Sequence, residues 1–245
     1  MPSLTIKDLI RYTRIYIIHL ITALRSSRLE LKENIVIIAP HPDDEVLACS
    51  GLIEQCLSSK KNVSVIILTQ GERTHSECCS EKETIINRSK LTINALAILH
   101  LPIQNLYRLK FPDGGVSAQC EETKELYRLL NVIKPDTIFI PHPFDRWSDH
   151  IEAGNLIKEF YQEETGILIY EYCVWFWYWF HNASKLKWKN SFILKMGEDE
   201  RRLKCRAIDA YVAPLATCGK PWSGLLPTVL IHACKWYKEL FFRIK

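Results

Sequence analysis

The chain has 245 residues, 47% apolar and 24% charged, with a formal net charge of +4. These are ordinary globular values, long enough for a large core, and so small a basic surplus excludes a dedicated nucleic-acid footprint. Nine cysteines, an odd number without a Cys-x-x-Cys spacing, point to a reducing, cytoplasmic setting and against a disulfide framework.

Residues 1–30 supply the first predicted element. An apolar run over 15–24 has Arg11, Arg14, His19 and Arg25 in or beside it. It falls short of the roughly twenty residues that span a bilayer, and no small-residue cleavage site follows it, so a signal peptide fits poorly. The pattern predicts an amphipathic helix, packed on the rest of the chain by default, or lying peripherally on a membrane. Residues 31–245 read as one domain. Within it, 34–40 and 62–69 are β-branched runs that end at polar residues, as buried parallel strands do. Val46, Leu47, Cys49, Ile53, Cys56 and Leu57 space out a helix between them. A helix over 83–99 leads to a short strand near Asn105 to Leu109. A further helix over 121–134 sets Leu126, Leu129, Leu130 and Ile133 on one face. A strand over 136–140 runs into a loop, and 149–162 is helical. The aromatic stretch 166–180 reads as a core strand, with Tyr172, Val174, Phe176 and Tyr178 on one face and Cys173, Trp175, Trp177 and Trp179 on the other. Sugar stacking is its alternative role. Residues 228–245 read as a basic amphipathic helix covering that strand, or else pressed on a membrane. The Asn-x-Ser triplets at Asn62, Asn87 and Asn182 are read as chance matches, since glycosylation needs a secretory route.

Strand and helix in alternation predict an α/β chain: a three-layer, Rossmann-like fold with a mostly parallel central sheet. Ligands of such sheets bind at the carboxyl ends of the strands. Two polar clusters fall there: Pro-His-Pro-Asp-Asp-Glu at 40–45 and Pro-His-Pro-Phe-Asp-Arg-Trp-Ser-Asp-His at 141–150. His41, Asp44 and His150 stand out as metal ligands, because two imidazoles and a carboxylate leave a fourth position open, the pattern of catalytic zinc. Asp43, next to a ligand but unable to share its direction, is expected as general base. An Asp-Asp pair alone would be a helix N-cap, which explains Glu45, yet capping needs neither His41 nor the Asp149–His150 pair. Asp145 and Asp149 are assigned to the shell behind the ligands, Asp145 with a turn as its alternative. Asp113, in Phe-Pro-Asp-Gly-Gly, is a turn residue or a substrate contact. Arg73 and His75 either touch substrate or sit in a solvated loop. His19, His100, His181 and His232 read as structural.

The motif Pro-His-Pro-Asp-Asp-Glu after a hydrophobic strand, with Asp145-x-x-x-Asp149-His150 after a later one, resembles the LmbE/PIG-L-like zinc-dependent de-N-acetylases. Softer matches are Thr-Gln-Gly-Glu at 69–72, the Arg88 helix, residues 111–115 and the aromatic run, spanning roughly 34–180. The resemblance implies hydrolysis of an N-acetyl group on an amino sugar, glycoside or glycolipid. It also implies one zinc, or another divalent ion, per chain on His41, Asp44 and His150, with Asp43 as base. Arg88 would meet a substrate hydroxyl. Two positions depart from the family. Trp147 stands where a His commonly stabilises the oxyanion, so that role passes to the Trp147 indole N–H or to His142. Leu91 stands where a Glu usually follows the Arg. The alternative is a member that binds metal or sugar with little or no turnover. A nucleotide site is disfavoured, because no Gly-rich loop follows the first strand. The sugar, its linkage and the oligomeric state are not encoded legibly.

Overall fold

The computed structural model describes residues 5–163, 166–180 and 183–245; His181 and Asn182, named above, lie outside the described residues. In chain order the elements are α1 (Ile6–Arg25), β1 (Ser27–Arg28), β2 (Asn34–Ala39), α2 (Asp44–Ser58), β3 (Asn62–Thr69), α3 (Glu81–Ile98), β4 (Leu106–Phe111), α4 (Glu122–Ile133) and β5 (Thr137–Pro141). There follow α5 (Ser148–Phe160), β6 (Leu168–Tyr172), the short α6 (Phe176–Trp179), β7 (Ser191–Lys195), α7 (Glu198–Val212), α8 (Thr228–Cys234) and β8 (Lys238–Arg243).

The eight strands form one sheet in the order β1-β7-β8-β6-β5-β2-β3-β4. Strands β4, β3, β2, β5 and β6 run parallel, while β8 runs antiparallel to both β6 and β7. Successive β2 side chains serve opposite faces. Ile35, Ile37 and Ala39 join the core with α2, α3 and α7, and Val36 and Ile38 join the core with α4 and α5. Burial on both faces is why this strand is apolar without alternation. From β2 the chain moves outward through β3 to β4, then returns across β2 to β5. The crevice between β2 and β5 is therefore the topological switch point, where an α/β sheet opens a binding site.

Two expectations are corrected. The stretch 166–180 is not one strand: β6 stops at Tyr172 and the chain turns into α6. The Asp145 carboxylate causes this by accepting the N–H groups of Val174 and Phe176, backbone donors a continuing strand would spend on its neighbour. The inferred alternation of faces lapses with it. Nor is 228–245 one helix. Helix α8 ends at Cys234, and β8 inserts between β6 and β7, burying Leu240, Phe241 and Phe242.

Helix α1 starts at a capping box, in which Thr5 Oγ1 accepts from the Asp8 N–H and the Asp8 carboxylate accepts from the Thr5 N–H. Its stripe through Ile15 and Ile18 is buried in the core, and Arg14 Nη2 donates to the carbonyls of Trp177 and Tyr178 at 2.8 and 3.0 Å. The opposite stripe, Ile6, Ile10, Ile17, Leu20 and Leu24, faces outward and is exposed. Among the described residues no helix is long and apolar enough to cross a membrane.

Candidate active site

The first loop leaves β2 at Ala39 and enters α2 at Asp44. The His41 N–H donates to Asp44 Oδ2 at 2.9 Å, folding that carboxylate back toward the imidazole. Asp43 takes φ 126° and ψ −28°, a strained conformation for a residue with a side chain. Its carboxylate makes no cap hydrogen bond; Glu45 reaches back to the Asp43 N–H instead, at 3.1 Å. The Asp43 carboxylate is thereby left for other work, with Arg88 Nη2 at 3.4 Å.

The second loop leaves β5 at Pro141 and delivers Asp149 and His150 on the first turn of α5. There His41 Nδ1, Asp44 Oδ2 and His150 Nε2 converge. The separations are 3.3 Å between the two nitrogens, 3.6 Å from His41 to Asp44 and 3.3 Å from His150 to Asp44. Nitrogen and oxygen ligands about 2.0–2.2 Å from a tetrahedral zinc lie roughly 3.3–3.5 Å apart. The far ring nitrogens are tied to carboxylates: His150 Nδ1 to Asp145 Oδ2 at 2.9 Å, and His41 Nε2 to Asp149 Oδ2 at 3.1 Å and Asp113 Oδ1 at 3.4 Å. With the outer nitrogens donating to those carboxylates, a cation at the centre would meet the two inner nitrogens as lone pairs. The three donors can hold a metal. His41, Asp113 and Asp149 also cluster, but Asp149 already accepts from the N–H groups of Gly114 and Val116, which commits it to bracing the 112–116 turn.

Electrostatics separate the two neighbouring acids. Burial raises Asp43 to about 7 despite the Arg88 charge. Burial opposes ionisation of Asp44 too, but His150 and His41 win and hold it well below the usual carboxylate range. His150, resisted by burial and favoured by Asp44 and Asp145, rises to about 9. Burial and the charge of Asp43 lift Glu45 to about 8, and its Oε1 has no partner.

A cavity of about 530 Å³ opens over this cluster. Of the expected site residues, His41, Asp43, Asp44, Arg73, Arg88, Asp113, Trp147 and Asp149 line it. Asp145 and His150 are fully buried behind them. Arg88 is buried with its amino groups spent on Thr74 Oγ1, the Pro42 carbonyl and Asp43, so it grips the loop that carries Asp43. The Arg73 N–H donates to Asp113 Oδ2 at 3.0 Å and its Nη1 to the Asp113 carbonyl at 3.2 Å, over Gly114 in the left-handed region. Trp147 is 46% exposed and meets Trp175 edge-on at 5.5 Å.

His142 is not brought to the cavity. Its Nδ1 accepts the Phe144 N–H at 3.0 Å, and its ring lies among Phe144, Phe176 and Phe242. Burial lowers it to about 3, so it is a neutral core ring. His75 is buried too, rather than solvated. Trp175, from the aromatic run whose alternative role was sugar stacking, also lines the cavity, whereas Thr74 and residues 223–226 of its wall were not anticipated. Their only signal is a Ser-Gly pair between apolar residues, which a surface turn shares.

Comparison with known proteins bears on the family and the fold. A family model described as PIG-L, GlcNAc-PI de-N-acetylase, matches residues 36–161, a stretch that contains both loops. Among solved structures, N,N'-diacetylchitobiose deacetylase from Pyrococcus horikoshii superposes with a TM-score of 0.65 at 21% identity, covering 86% of this chain and 83% of that one. A zinc-inhibited form of the teicoplanin deacetylase Orf2 gives 0.62 at 14% identity, covering 85% and 97%. The 4-carboxy-2-hydroxymuconate hydratase GalB from Pseudomonas putida gives 0.64 at 15% identity, covering 87% and 97%. At these identities the likeness is one of fold, and the hydratase shows that one scaffold hosts different chemistries. The family match decides membership: the chain belongs to the PIG-L family of de-N-acetylases.

Proposed function

We propose that the chain is a zinc-dependent amidohydrolase that removes the acetyl group from an N-acetylated amino sugar, as a glycoside or glycolipid. The observation that carries this is the convergence of His41 Nδ1, Asp44 Oδ2 and His150 Nε2 beside the strained, uncapped carboxylate of Asp43. These three residues would hold the metal, which supplies Lewis-acid polarisation of the amide carbonyl and a water of lowered pKa. Asp43 takes a proton on its carboxylate as water attacks, and gives one to the departing amine nitrogen. Arg88 holds the Asp43 loop in register. The Trp147 indole N–H, at the cavity edge, donates one hydrogen bond to the oxygen that gains charge. Arg73 and Asp113, braced on one another, present polar groups to sugar hydroxyls. The products are acetate and a free amine.

The testing experiment is acetate release from a panel: free N-acetylglucosamine, its nucleotide diphosphate form, and a glycoside with a hydrophobic aglycone. Release that stops on chelation and returns with zinc supports the reading; release indifferent to chelation contradicts it. The outward apolar stripe of α1 favours a lipid-linked substrate and a peripheral place on the cytoplasmic face of a membrane. Ile17→Glu with Leu20→Glu should then abolish sedimentation with phospholipid vesicles while leaving the fold intact. Equal sedimentation would remove that reading.

A further inference from the structure

A second cluster of ligand-type atoms lies apart from the three described above. His75, Cys78, Cys79 and Cys218 bring their Nδ1 and Sγ atoms within 4.8 Å of one another. The local backbone explains it. The His75 carbonyl accepts the N–H groups of both Cys78 and Cys79, at 3.0 and 2.9 Å, winding a turn that gathers both thiols beside the ring. Cys218 arrives from a tight turn in which the Gly219 N–H bonds the Ala216 carbonyl at 2.9 Å, with Gly219 left-handed.

We propose that these four residues form a structural zinc site of the three-cysteine, one-histidine type. Thiolates around zinc, with bonds of about 2.3 Å, lie about 3.7 Å apart. Cys78 Sγ is 3.7 Å from Cys79 Sγ and 3.7 Å from His75 Nδ1, and Cys218 Sγ is 3.9 Å from His75 Nδ1. The 2.7 Å between Cys78 and Cys218 is shorter than a tetrahedral edge, yet longer than the roughly 2.05 Å of a disulfide. His75 decides between the two chemistries. Its Nε2 meets the Pro221 carbonyl at 2.9 Å, and since a carbonyl only accepts, the proton sits on Nε2. Nδ1 is left to face the sulfurs of Cys78 and Cys218, the backing that a zinc-bound histidine takes. A Cys78–Cys218 disulfide would use neither that nitrogen nor Cys79. Zinc is the soft-ligand choice for such a donor set, and on binding three thiols release their protons to solvent while His75 binds neutral.

The site would staple the 72–79 segment to the 215–224 segment. The first gives Arg73 and Thr74 to the cavity wall and the second gives Ser223 and Gly224. A Cβ on Gly224 would come within 3.0 Å of Thr74 Cγ2, so the two segments already touch.

The test is cobalt substitution of the full-length reduced chain. A thiolate-to-cobalt charge-transfer band in the near ultraviolet, with tetrahedral bands in the visible, is expected. It should survive His150→Ala, because the His41, Asp44 and His150 site has no sulfur; the two proposals therefore fail separately. Cys79→Ser and Cys218→Ser should lose the band and about one zinc equivalent per chain. His75→Cys, which keeps four ligands, should retain metal and intensify the band even if the serine variants fold poorly. No charge-transfer band in the reduced wild type, or a band unchanged in both serine variants, would overturn the proposal.

Discussion

Around His150 each atom has one task. Nε2 faces His41 and Asp44, and Nδ1 is held by Asp145, whose other oxygen caps the chain as it leaves β6. One carboxylate thus orients the His150 ring and ends a strand. Asp145→Asn keeps the size but presents either a donor or a weaker acceptor to Nδ1. Zinc affinity, measured against a competing chelator, should fall about 10–100-fold, with a small loss of stability; unchanged affinity would show that Asp145 serves the turn alone. Much of this cluster was legible because its residue types have few other reasons to share a strand end. Capping accounts for Glu45, and it does not account for His41 or His150. What was not legible is direction. His142 sits between prolines like His41, yet an N–H two residues on claims its Nδ1 and aromatic rings enclose it. Residue order carries no sign of that.

At the scale of elements, α2 is two helical pieces joined at Cys49, which leaves the helical range at φ −124° and ψ 15°. The backbone donors freed there are taken by Glu239 of β8, which accepts from Gly51 at 2.7 Å and Leu52 at 2.9 Å and pairs with buried Lys204 of α7 at 2.8 Å. A Cβ on Gly51 would lie 3.2 Å from that carboxylate. Replacing Glu239 by Gln strands a buried ammonium. Stability by denaturant titration should drop about 3–5 kcal/mol, and Lys204→Met in the same chain should recover part of it. An equal loss in the double variant would mean the carboxylate acts only as a cap. Helix α1 makes a different contact, His19 stacked on Trp236 at 3.5 Å. Burial, then the charges of His232 and Lys238, lowers His19 to about 3 from its ordinary 6.5. Below about 6.5 the unfolded chain takes up a proton that the folded one refuses, so this group's contribution is whole above that pH and is lost as pH falls toward about 3. The Tm of His19→Gln should therefore fall less steeply with acid than that of the wild type; parallel profiles would contradict this. The ends of the aromatic elements were illegible in the sequence for a related reason. Runs apolar on every side satisfy strand and helix periodicities alike, and the choice was made by Asp145 for 166–180 and by an open place in the sheet for β8.

For the whole molecule, topology converts distance in sequence into proximity. The 40–45 and 141–150 loops meet because β2 and β5 are parallel neighbours at the place where strand order reverses. Alternation of strands and helices carried that much of the fold. The far side of the sheet, with β7, α7 and β8, depends on long-range pairing that periodicity does not encode, and the connection from α7 to α8 brings residues 223–226 to the cavity wall. Central to the proposed function is a metal held by His41, Asp44 and His150, working with Asp43 as a separate proton carrier. The direct measurement is acetate release and bound zinc, taken together, for wild type and Asp43→Ala on the best substrate of the panel. A rate lower by about 10²–10⁴ is expected in the variant, with zinc content unchanged. Full activity in Asp43→Ala would contradict it, and zinc lost together with activity would make Asp43 a ligand instead of a base.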